Sequence, residues 1–174
     1  MSVRDLKFRT PDMRFGLSVD ETIMTKMLAL CGKAGNAETG GILVGYYTKK
    51  RDWAIVTDFS GPPSDSKRSC ASFNRGVQGL KKWLNHIWRG KRHYYLGEWH
   101  YHPFASPEAS YVDAKQLREH SENGPLVCPE PIMMIVGGNP NGAWEVKAYV
   151  YPKGTELLHM DSVKEYIQAH KAGS

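Results

Sequence analysis

Apolar and polar residues repeat at two periods along this chain, and the switches between them mark its elements. The segment ending at Phe15, Gly16 and Leu17 reads as a short strand. A helix is predicted from Ser18, where Glu21 completes a capping box and Ile23, Met27 and Leu30 form an apolar stripe. After a break at residues 32–36, the run 38–47 reads as a buried strand entered through Gly40 and Gly41. Residues 53–59 alternate as its antiparallel neighbour, and 61–72 form a loop. A second helix is predicted over 74–89, with Val77, Leu80, Leu84, Ile87 and Trp88 on one face. Residues 94–101 read as a strand.

Ser106, Pro107 and Glu108 then signal the start of a third helix reaching about His120: serine at the cap, proline at the first position, an acid in the first turn. Strands 131–136 and 144–151 follow, joined by a Gly-Gly-Asn-Pro-Asn-Gly turn, and a terminal helix is expected from Asp161. Neither a repeat nor a linker interrupts this order, so residues 1–174 are read as one domain.

Composition narrows the class. With 41% hydrophobic and 24% charged residues, the chain is that of an ordinary globular protein rather than a disordered or fibrous one. No apolar run reaches the length of a membrane span, and residues 1–10 are charged where a signal peptide needs an apolar segment. Three cysteines without CxxC spacing argue against a disulfide framework and point to the cytoplasm. The net charge of +5 gathers at Lys49-Lys50-Arg51, Lys81-Lys82 and residues 89–92, which read as a solvated surface, so no nucleic-acid partner is expected.

Candidate chemistry is concentrated in His100-Tyr101-His102-Pro103, followed by Ser110 and Asp113. Histidines two apart project from one face of a strand. Alone, that pattern is weak evidence for a metal and reads first as a polar surface opposite a core of Trp99 and Tyr101. Pro103 ends the strand, however, and the helix after it brings Asp113 back over the histidine face, with Ser110 three residues before. Two imidazoles and a carboxylate suit a catalytic zinc that keeps an open position for water. Hydrolysis also needs a base and an oxyanion donor. Ser110 is the candidate donor. Glu98, on the face of His100, and Glu38, at the entry to a buried strand, both qualify as the base, and spacing does not choose between them.

These residues resemble the JAB/MPN-plus metalloprotease family, whose motif is a remote Glu followed by HxHPx6SxxD. His100-Tyr101-His102-Pro103, six residues, then Ser110-Tyr111-Val112-Asp113 match it without a gap, and residues 38–45 resemble the Glu-bearing strand entry. The resemblance implies an α/β fold of the cytidine-deaminase-like JAB/MPN type, a mixed β-sheet packed between helices. It implies zinc on His100, His102 and Asp113, Glu38 as general acid/base, and Ser110 as oxyanion donor, leaving Glu98 a supporting role. The Gly97-Glu98-Trp99 lead-in is similar to the prokaryotic branch, whereas eukaryotic members usually carry Ser or Thr where this chain has Tyr101.

The run differs from the HNHPSG of RadC-like relatives, and Cys128-Pro129-Glu130-Pro131 lacks the second cysteine of zinc deaminases. Enzymes of this branch cleave after the C-terminal glycine of a ubiquitin-like protein or its conjugate, in antiphage operons with E1/E2-like enzymes, or trim sulfur-carrier tails. The deconjugating, antiphage setting is the preferred expectation; a non-catalytic interaction module is the rival class. Residues 61–72 and 123–131 are expected to wall the channel for the tail.

Overall fold

The computed structural model describes residues 5–123 and 128–163. Their order is β1 (Leu6–Arg9), β2 (Gly16–Val19), α1 (Glu21–Ala34), β3 (Thr39–Tyr47), β4 (Trp53–Phe59), β5 (Lys67–Arg68) and β6 (Phe73–Asn74). They continue as α2 (Leu80–Lys91), β7 (Tyr94–Pro103), α3 (Tyr111–Asn123), β8 (Ile132–Gly138), β9 (Trp144–Val150) and β10 (Leu158–Ser162).

Eight strands form one mixed sheet, β1-β10-β9-β8-β7-β3-β4-β2, which closes where β1 pairs with both β2 and β10. The pairs β2–β4 and β7–β8 are parallel and the rest antiparallel. The sheet is packed between helices, as expected. The main core joins inward residues such as Leu43, Trp99, Tyr101 and Met134 to the stripe Ile23, Met24, Met27 and Cys31 of α1. On the outer face, Leu80, Leu84 and Ile87 of α2 cover Ile42, Val44 and Tyr95, while Leu117 of α3 covers Met133 and Ile135. Adjacent residues on β3 and β8 thus feed opposite cores, as strand alternation requires.

Several element boundaries differ from the sequence expectation, each for a local reason. The cap of α1 is Asp20, whose carboxylate accepts the Ile23 N–H at 2.8 Å, and Ser18 lies within β2 beside Ile55. Helix α2 starts at Leu80, because Asn74 pairs with Lys67 in the two-stranded β5–β6 unit; Val77 precedes the helix and is exposed. Asp161 belongs to β10 and pairs with Arg9, while residues 164–174 of the expected terminal helix lie outside the described residues.

One irregularity in β7 shapes the site. The β3–β7 register shifts between Leu43, opposite Gly97, and Val44, opposite Tyr95, so Leu96 is the extra residue of a bulge. As a result Tyr95 and Glu98, three apart, both face outward. Gly97 has φ +152°, and a Cβ there would collide with the Ile132 carbonyl of β8. Gly97→Ala is therefore expected to cost about 1–3 kcal/mol or more of stability, read as a lower urea midpoint. A midpoint equal to wild type would show that the bulge tolerates a side chain.

Candidate metal centre and active-site cleft

Strand β7 carries two sets of side chains with opposite fates. Trp99 and Tyr101 are fully buried inside the barrel, where the indole N–H donates to the Ser60 carbonyl at 2.8 Å and the Tyr101 hydroxyl to Gly138 at 3.2 Å. Their neighbours His100 and His102 emerge on the outer face, His100 only 2% exposed.

The third helix does not begin at Ser106. Residues 106–110 are non-helical, since Pro107 packs on Gly137 and Glu108 bonds Lys147 and Tyr149, holding this stretch against β8 and β9. Ser110 is instead the residue before α3, and with Asp113 it forms a reciprocal cap. The Asp113 N–H donates to Ser110 Oγ at 3.1 Å, while Asp113 Oδ2 accepts from the Ser110 N–H at 2.7 Å and its hydroxyl at 2.6 Å.

This lock aims Asp113 at the histidines. Oδ1 lies 2.8 Å from His100 Nδ1 and Oδ2 lies 3.7 Å from His102 Nε2. One ligand atom from each of the three falls within 4.8 Å of the others. Burial opposes ionisation of Asp113, but bonds from His100 and Ser110 outweigh it and carry the pKa down to about 2. Two imidazoles and an ionised carboxylate, converging and largely shielded from water, fit a divalent metal of the zinc type.

Glu38 and Glu98, the two candidate bases, occupy different environments. Glu38 precedes β3, and its N–H donates to the Ser69 carbonyl at 2.8 Å. Its side chain lines a cleft of about 460 Å³ with His102, Ser110 and Asp113. Burial raises its pKa, opposed by His102 and reinforced by Asp113. Glu98 is 3% exposed and bonded at both oxygens, to Arg75 Nε at 2.7 Å and to the Tyr95 hydroxyl at 3.0 Å. It does not line the cleft.

The far wall of the cleft comes from the β5–β6 arm through Ala71, Ser72, Phe73 and Asn74. Only Ala71 and Ser72 of this wall lie in the loop expected to form the channel. Residues 128–131 contribute none of the lining, and 124–127 lie outside the described residues. The sequence pattern does not single out Phe73, which falls between the expected loop 61–72 and helix 74–89, or Arg75, which falls within that expected helix. The available signal was Glu98, an acid on an apolar strand that calls for a buried cation.

The barrel, the helices on both its faces and the His–His–Asp cluster define a JAB-type domain. Residues 20–148 match the family of prokaryotic homologs of the JAB domain, and the chain belongs to that family. The CD-NTase/cGAS isopeptidase of Enterobacter hormaechei subsp. hoffmannii (strain UCI 50) is 35% identical, over 94% of this chain and 90% of its own. Probable metalloprotease y4qB of Sinorhizobium fredii is 27% identical over 76% of this chain and 81% of its own. The solution structure of protein DSY2949 from Desulfitobacterium hafniense matches 80% of this chain and 86% of its own with a TM-score of 0.56 and 19% identity, a likeness of fold. Family and relatives together make the chain a JAB-type peptidase. Among the described residues, no helix is long and apolar enough to cross a membrane.

Proposed function

We propose that this chain is a zinc-dependent isopeptidase that cleaves after the C-terminal glycine of a ubiquitin-like protein or its conjugate. The observation that carries the reading is the convergence of His100, His102 and Asp113, with His102 and Asp113 lining the same cleft as Glu38 and His100 buried behind them. His100, His102 and Asp113 would hold the zinc. When bound, it supplies Lewis acidity to the scissile carbonyl and acidifies the attacking water.

Glu38 takes the proton from that water as its oxygen bonds the glycine carbonyl carbon. It then returns the proton to the departing amine, the lysine Nε of an isopeptide, as the C–N bond breaks. The burial that raises the Glu38 pKa suits a group that must both accept and release a proton. Ser110 donates to the oxyanion by turning its hydroxyl from Asp113, while its N–H continues to hold that carboxylate. A tail ending in glycine fits between the arm and the start of α3 because it carries no bulky side chain there.

The Enterobacter relative's isopeptidase name, over nearly the whole of both chains, favours conjugate removal over sulfur-carrier trimming. On this reading residues 1–174 form one cytoplasmic domain that counteracts an E1/E2-like conjugation system in antiphage defence. The test uses a synthetic tail peptide ending in glycine and joined to a lysine Nε. Zinc-loaded protein should release the lysine peptide, stop on chelation, and resume when zinc is restored. An intact isopeptide after prolonged incubation with zinc-loaded, folded protein would overturn the assignment.

A further inference from the structure

The structure assigns a positioning role to Arg75 and Glu98: we propose that their buried pair anchors the β5–β6 arm as the fixed wall of the substrate cleft. This deepens the peptidase reading and rests on it for the role in substrate binding.

The arm leaves the barrel after Ser60 and returns at α2, and it is tied to itself and to the sheet. Asp65 accepts the N–H groups of Val77 and Gln78, both at 3.0 Å, and Ser66 Oγ accepts that of Gly76 at 2.9 Å. Two weak points join the arm's working end to the catalytic face. The Ser69 carbonyl accepts from the Glu38 N–H, and the Phe73 ring stands edge-on to His100 with centroids 5.3 Å apart. That ring fits only because Gly40 beneath it has no side chain: a Cβ would lie 2.8 Å from Phe73 and 2.9 Å from His100.

The strong point is Arg75, one residue beyond β6. Its Nε donates to Glu98 Oε2 at 2.7 Å and its Nη1 to the Gly76 carbonyl at 2.8 Å. The Tyr95 hydroxyl bonds the other Glu98 oxygen, and His120 of α3 closes the cluster with Nε2 3.8 Å from it. Arm, β7 and α3 therefore meet at one carboxylate, two residues before His100. A buried ion pair is a poor way to gain stability, because desolvating both charges offsets their attraction. What it does well is fix geometry, since either charge left alone in this site is heavily penalised. The bulge at Leu96 supplies the Tyr95 contact.

The test compares Glu98→Gln and Arg75→Lys with wild type in two measurements. Hydrogen exchange followed by mass spectrometry should show residues 65–78 protected in wild type and exchanging about tenfold faster or more in Glu98→Gln, with β8 unchanged. On the glycine–lysine isopeptide, Glu98→Gln should raise KM about tenfold with a much smaller change in kcat, and Arg75→Lys should fall between it and wild type. Loss of folded protein alone lowers kcat by reducing the active fraction and leaves KM unmoved.

An arm that exchanges in wild type as freely as the Lys49–Arg51 turn would overturn the anchor, even if neither variant folds. So would unchanged exchange in a folded Glu98→Gln. An arm that loosens in a protein inactive even as wild type would instead count against the peptidase reading.

Discussion

Asp113→Ala is expected to strip the protein of zinc and of peptidase activity together. Purified wild type should carry about one zinc per chain, bound by two imidazoles and a carboxylate with a position left open. Of the three proposed ligands, Asp113 is the one whose loss should do most damage, because it is the group that bridges strand and helix. It bonds His100 on one side and is held by the Ser110 N–H and hydroxyl on the other. Removing it leaves two ligands, and since disturbing outer-shell partners alone weakens metal affinity about 10–100-fold, loss of a ligand should exceed that. The carboxylate half of the reciprocal cap goes too, leaving only the bond from the residue 113 N–H to Ser110 Oγ, so the measurement must pair metal content with circular dichroism. A folded Asp113→Ala protein that keeps stoichiometric zinc would remove Asp113 from the site.

The second large effect separates metal binding from proton transfer. Glu38→Gln keeps the size of the side chain and its neighbours in the cleft but cannot accept a proton. Its kcat should fall by about 10²–10⁴ while zinc remains at the wild-type level. The backbone bond from Glu38 to Ser69 survives the change, so the arm stays seated and KM should move little. A variant with near-normal turnover would show that another group carries the proton.

How far the chain could be read in advance depended on whether a feature is local. The alternation around Trp99 and Tyr101 announces which side of β7 is core, and the histidines follow from it. Ser110 and Asp113 are three apart because a reciprocal cap needs that spacing, so the motif contains its own helix start. Ser106 and Pro107 carry the stronger local helix-start signal, but contacts with Gly137, Lys147 and Tyr149 hold that stretch out of the helix. The choice between Glu38 and Glu98 was not legible from spacing, since it turns on where Arg75 lies in space. Phe73 and Asn74 were hidden because two-residue strands leave no periodicity to detect, and closure of the sheet was hidden because it joins segments at opposite ends of the sequence.

That closure has a kinetic consequence. The seam between β1 and β10 pairs Phe8 with Ser162 and Arg9 with Asp161, contacts whose sequence separation spans nearly the whole chain. Bringing such distant segments together carries the largest loop-closure entropy in the molecule, whereas the β3–β4 and β8–β9 hairpins form from neighbours. Folding should therefore proceed outward from the hairpins and the β3–β7–β8 centre, with the seam zipping last. Glu38, His100 and His102 belong to that early part, and α3, which carries Asp113, packs on β8 through Leu117. A chain caught before its final step would already hold the His–His–Asp cluster in register while its inner core was still open along one edge.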